Sequence, residues 1–238
     1  MTQSKDPGSS EVFRYGGTGT VLLVTLLAYV GLHPLALGGT ASRVVGGLIV
    51  VIIMVSGTMA ASRSGLLRSI GIVLATITFC LQVAWLATAY RSVEAAMMAA
   101  FAIFCFFTAS VILRHVLSFG PVYADRVHAA LSVYILLAFA WAGVYAMLEI
   151  LSPGAFSLPA GGAKDEGAPL LADMMHLSIA TLTSTGFGDI TPVAPFARSI
   201  SQLEQLTGVF YIAVLISRLI GLYPTEERAD KEPDGPAG

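Results

Sequence analysis

Apolar residues run in long stretches along this chain, separated by short polar or charged breaks. The stretches read as spans at Thr20–Leu37, Val44–Ala61, Ser69–Tyr90, Ala95–Leu113, Val127–Leu151 and Ala197–Leu222. A helix advances about 1.5 Å per residue and the hydrocarbon core of a bilayer is about 30 Å thick, so roughly 20 residues cross it. His33-Pro34 disturbs the last turn of the first span. Between the fifth and sixth spans the pattern changes. Ser152–Leu170 is rich in Pro and Gly, carries Lys164, Asp165 and Glu166, and reads as a solvated loop. Leu171–Thr183 has a helical pattern but is too short to cross, and the Ser-Thr-Gly-Phe-Gly-Asp that follows cannot continue a helix. A short helix followed by glycine-rich backbone, between two full spans, predicts a re-entrant loop. Such backbone is tolerated at membrane depth only where it lines protein or water.

Composition agrees. The chain of 238 residues is 55% hydrophobic and 12% charged, with a mean hydropathy of +0.78, whereas soluble domains carry about 25% charged residues. The expected fold is therefore an all-α membrane protein with six transmembrane helices and one re-entrant helix and loop. A net charge of −2 leaves no basic footprint for nucleic acid. Cys80 and Cys105 lie inside apolar runs and read as small buried hydrophobes rather than a disulfide or metal site. No cleavable signal is evident after the polar segment 1–19. Gly16-Gly17-Thr18-Gly19 has no strand before it, so it is not a dinucleotide site. No metal-ligand cluster and no nucleophile paired with a histidine is found, so neither an enzyme nor a cofactor is expected. With both termini on one side, nine of the 13 Lys and Arg residues share that side, which predicts cytoplasmic termini in a multi-pass protein of the inner (plasma) membrane. The re-entrant loop then enters from outside.

That loop has the chemistry of a cation filter. A cation leaving water needs its hydration shell replaced, and rings of backbone carbonyls can do so. The backbone that aims them needs glycine where other residues are strained, and Gly186 and Gly188 sit one residue apart. Ser184 can add a ring of hydroxyls at the deep end, and the short helix points its negative C-terminal end at the cation. Asp173–Pro192 reads DMMHLSIATLTSTGFGDITP. It resembles the pore loop of bacterial potassium channels, whose usual form is T-L-T-T-V-G-Y-G-D-I-x-P. The resemblance continues through Arg198, Gly208 and the stretch from Phe210 to Leu219, and includes Leu148-Glu149 and Pro153-Gly154-Ala155-Phe156. It covers about Val127 to Tyr223; the first four spans match a six-span channel only in number and placement.

The resemblance implies a homotetramer in membrane lipid that conducts potassium passively. Each chain would supply a quarter of every ring from the carbonyls of Ser184, Thr185, Gly186 and Phe187, with the Ser184 hydroxyl and with Gly188 completing the filter. Thr183, Asp189, His176 and Glu204 would support it. It also implies a cytoplasmic segment 1–19, a four-helix scaffold 20–126, a pore domain 127–223 and a disordered tail 224–238. Three departures from the family stand out: Phe187 replaces tyrosine, His176 and Leu177 stand at the usual aromatic positions, and Ala180 stands where some relatives have glutamate. Fewer lateral hydrogen bonds, each worth about 1 kcal/mol net, predict a filter that loses its conducting shape readily in low potassium. His176 either reaches Asp189, which would make the current sensitive to external acid, or packs against a neighbouring helix.

The fourth span, from Met97 to Leu113, has no arginine, so strong voltage gating is not expected. The tail is far shorter than the roughly 100 residues of a ligand-gating domain. Gly208 is either a hinge or a point of close packing against the pore helix. Val209, Ile212, Ile216 and Ile220 recur at helical spacing and by resemblance either face the cavity, where they could close it by dewetting, or touch the fifth span. Glu204 and Gln205 lie inside the sixth span, where a carboxylate needs a partner or a proton. Glu204 is expected to bond Ser178 or Thr181 from behind, tuning the filter rather than binding ions. Arg218 is expected to snorkel to the inner interface. Rival readings are a non-selective monovalent cation channel and a non-conducting channel-like scaffold.

Overall fold

A computed structural model describes residues 18–32, 50–58, 65–117, 124–158 and 170–222. In chain order the helices are α1 (Thr18–Leu32), α2 (50–58), α3 (Gly65–Thr88), α4 (Arg91–Val116), α5 (Ala124–Leu151), α6 (Leu170–Leu182) and α7 (Pro195–Leu222). Four of these described helices, α3, α4, α5 and α7, are long and apolar enough to cross a membrane. The first two expected spans, the segment 1–17 and the tail after Leu222 lie wholly or partly outside the described residues. The 13 residues of α6 extend about 20 Å, well short of the hydrocarbon thickness, as the length of its apolar run predicts.

Local signals set the helix ends. Only Ala89 and Tyr90 separate α3 from α4, which makes the two helices antiparallel neighbours. Ala89 takes a left-handed conformation, φ 52°, to close that turn. Glu94 lies in the first turn of α4, and Arg114 and His115 in its last, each sign matching the helix dipole.

The hub of the packing is α5, which contacts α1, α4, α6 and α7. Its buried Val133, Leu136, Phe139 and Tyr145 meet Phe101 and Phe104 of α4 and Met174 of α6 in one apolar core. Close approach of α4 and α5 depends on Gly143, where a Cβ would come within 3.1 Å of the Met98 carbonyl oxygen and of Ala102 Cβ. Small residues at such crossings are what membrane helices use in place of a hydrophobic drive. By contrast α3 packs on α4 along one face and leaves Ile72, Val73, Phe79 and Val83 exposed. Cys80 shares that open side and is exposed, while Cys105 is buried. The expectation that both cysteines are buried therefore fails for Cys80, because the described residues leave that face of α3 uncovered.

The all-α expectation also needs a small correction. Two short strands, β1 (Phe156–Ser157) and β2 (Thr191–Pro192), pair antiparallel, Phe156 opposite Pro192 and Ser157 opposite Thr191. Val193 N–H adds a bond of 2.8 Å to the Ala155 carbonyl. This ladder ties the segment after α5 to the segment before α7. Glu149 organises the near side, accepting from Gly154 N–H at 2.7 Å and Phe156 N–H at 3.0 Å.

Candidate functional site

The segment 183–189 begins at the end of α6, and its first amides turn back onto that helix. Ser184 N–H bonds the Thr181 carbonyl at 3.0 Å, and Thr185 N–H and Gly186 N–H both bond the Ala180 carbonyl, at 2.8 and 3.1 Å. No peptide among the described residues is cis. In a trans peptide the N–H and the carbonyl of the preceding residue point in opposite directions. The carbonyls of Thr183, Ser184 and Thr185 therefore point away from α6. The torsions extend this arrangement. Ser184, Gly186 and Gly188 have φ of 57°, 59° and 80°, while Thr185 and Phe187 are not positive. A φ that alternates in sign is the pattern of a backbone nest, in which successive amides face one side. Glycine takes this conformation freely; for Ser184 it costs roughly 1–2 kcal/mol. Strain of this kind concentrates at functional sites. Thr183 through Asp189 are all exposed in the single chain.

Side chains brace the segment. Thr183 Oγ1 donates to the Ile179 carbonyl at 2.7 Å and lies 2.8 Å from Thr185 Oγ1. The Phe187 ring stacks on His176, with centroids 5.4 Å apart and planes 15° from parallel. His176 Nε2 lies 2.9 Å from Asp189 Oδ2. Desolvation pushes the Asp189 carboxyl up, but the Ile190 N–H and the neighbouring His176 together hold it below its ordinary value.

Behind the segment, α7 approaches closely. A Cβ on Gly208 would sit 2.0 Å from the Leu182 carbonyl oxygen, so packing alone requires glycine here. The same carbonyl accepts from Tyr134 Oη at 3.0 Å. Higher on α7, Glu204 is fully buried and engages Tyr145 through one carboxyl oxygen and Ser178 through the other. Ser178 Oγ also lies 2.8 Å from the Ala138 carbonyl. Of the two partners expected for Glu204, the structure gives Ser178. Sequence reasoning missed Tyr145, although a phenol inside an apolar span is a signal, because a buried hydroxyl needs a partner.

The rest of α7 is sparsely covered. Ala197, Ser201, Glu204, Gly208 and Tyr211 form a narrow buried stripe, and Val209, Ile212 and Ile216 are exposed, without cover from α5. Ile220 lies on α7 beyond the described side chains. Arg218 Nη2 donates to the Leu117 carbonyl at the end of α4, 3.0 Å away, where a helix C-terminus offers unpaired carbonyls. Among the described residues, no cluster of His, Cys, Asp and Glu could hold a metal ion.

Residues 133–223, from α5 through α7, match the family model described as "Ion channel". Protein LctB of Geobacillus stearothermophilus is 31% identical over 113 residues, covering 48% of this chain and 80% of that protein. The chain belongs to the ion channel family. Protein LctB of Bacillus caldotenax is 29% identical over 96 residues, 40% of this chain and 71% of that one. No solved structure matches. The match places both helices of the ion channel domain, and the exposed segment between them, inside one family unit.

Proposed function

We propose that the chain is one subunit of a homotetrameric, potassium-selective channel of the plasma membrane, with six spans, cytoplasmic termini and no strong voltage gating. The observation that carries this is the alternation of handedness at Ser184, Gly186 and Gly188 with amides anchored on Ala180. It supports carbonyls of Ser184, Thr185, Gly186 and Phe187 turned toward one axis, where four copies replace a potassium ion's water. The Ser184 hydroxyl adds the innermost ring. Exposed Val209, Ile212 and Ile216 suit the wall of a cavity below it. The uncovered apolar remainder of α7, including Leu203, Leu206 and Phe210, suits contact with neighbouring subunits, since an exposed apolar patch of this extent marks an interface.

Purified protein in liposomes tests the proposal. Rubidium uptake, and bi-ionic reversal potentials favouring potassium over sodium, are the expected results. Equal permeability would favour the non-selective channel, for which Phe187 gives some ground: its ring stacks on His176 and has no hydroxyl to fix the filter's width. No flux at all would favour a scaffold.

A further inference from the structure

Behind the pore helix α6, three hydrogen-bond contacts meet, and they need three protons. Ser178 Oγ contacts both the Ala138 carbonyl and Glu204 Oε1, and Tyr145 Oη contacts Glu204 Oε2. A carbonyl only accepts, and so does an ionised carboxylate. Ser178 and Tyr145 have one hydroxyl proton each. With Glu204 ionised, two protons face three contacts, and Ser178 can satisfy only one of its two acceptors. With Glu204 protonated, the count closes. Its O–H donates to Ser178 Oγ, Ser178 donates to the Ala138 carbonyl, and Tyr145 donates to the other carboxyl oxygen.

The surroundings agree with the count. Glu204, Ser178 and Tyr145 are each 0% exposed, and a lone ionised carboxylate is costly in such a place. Among the described residues, the groups that bear on Glu204 are Ser178 of α6 and Tyr145 and Tyr134 of α5, with Ser201 of α7 beside Tyr145. None of them is a cation.

We propose that Glu204 is held as a neutral carboxylic acid whose proton bridges α5, α6 and α7, making it a positioning residue for the filter. Ser178 lies two residues before Ala180, the residue whose carbonyl anchors the filter amides. The bridge therefore fixes the pore helix next to that anchor. The filter role rests on the channel reading above; the proton does not.

Glutamine is the diagnostic substitution. Its N–H₂ can face Ser178 and its carbonyl Tyr145, the same hydrogen-bond directions as the acid. In the full chain, Glu204→Gln should assemble and keep its rate of current loss in low potassium within about twofold of wild type. Ser178→Ala and Tyr145→Phe should each speed that loss about fivefold, the factor carried by one net hydrogen bond. Failure of Glu204→Gln to assemble, or a loss as fast as in Ser178→Ala, overturns the positioning role. Infrared spectra of the solubilised wild type at about pH 7, with carbon-13-labelled glutamate, test the proton without any current. An isotope-shifted band of a protonated glutamic acid that is absent from Glu204→Gln is expected; a wild type with carboxylate bands alone overturns the proposal. If that band is present and wild-type liposomes take up no rubidium, the channel reading fails and the bridge stands.

Discussion

At the residue scale, two positions behave in opposite ways. Gly208 has no room for a methyl group, because the obstacle is the Leu182 backbone rather than a flexible side chain. Gly208→Ala is expected to destabilise the protein by about 1–3 kcal/mol, the usual range for overpacking, read as a lower thermal midpoint of the purified protein; an unchanged midpoint would count against the contact. His176 and Asp189, by contrast, are about half exposed, and their pair acts through charge. The carboxyl of Asp189 is depressed, so its charge is present above the ordinary carboxylate value and is lost only as pH falls through its lower folded value. Asp189 therefore stays ionised from pH 8 down to about 5, so the pair is tested by removing the ring rather than by titrating the carboxyl. External acid should alter the current of wild type, and His176→Ala should abolish the effect. Flat currents in both proteins would remove the pair from any account of gating. Both positions were visible in the sequence as alternatives, a hinge or a packing point, a strut or a core histidine. Spacing alone could not choose, because the choice depends on which element lies across the gap.

At the element scale, α6 and the proposed filter segment after it were the most legible parts of the chain. The shortness of α6 follows from where apolar residues give way to Thr-Ser-Thr-Gly, and the glycines announce where the torsions must change sign. Ser184 was legible as a hydroxyl donor, but not as a third left-handed residue, because nothing in a serine advertises strain. The small β ladder was also hidden: two residues on each side are too few for a period-two pattern, and the pairing is fixed by Glu149 gathering two amides. Stacking of Phe187 on His176 bears on filter durability. Replacing Phe187 by Tyr adds one hydroxyl donor and should slow current loss in low external potassium about fivefold, by the worth of one net hydrogen bond. Equal rates in the two proteins would argue that stacking, not hydrogen bonding, sets the lifetime of the conducting shape.

At the scale of the whole molecule, burial is uneven in an informative way. No residue in the centre of α5 is exposed, whereas α7 is covered along one stripe only. Sequence hydropathy could not reveal this difference, because lipid, a neighbouring subunit and a protein core all favour the same residues. If four copies meet around bound potassium, the ion stabilises the assembly by mass action, about 2.7 kcal/mol at 100 times its dissociation constant. The tetramer in detergent should therefore melt at a higher temperature in potassium chloride than in sodium chloride of equal ionic strength. Identical melting in the two salts would argue against potassium as the ligand of the assembled filter. One main-chain atom carries a burden out of proportion to its side chain. Because the oxygen of Ala180 holds two successive amides, an alanine scan is blind to that anchorage, and the position is free to drift in evolution among any residues that fit the space. Only an edit of the backbone itself, such as an ester in place of the amide at Thr185 or Gly186, would expose how much of the segment's shape hangs from that single oxygen.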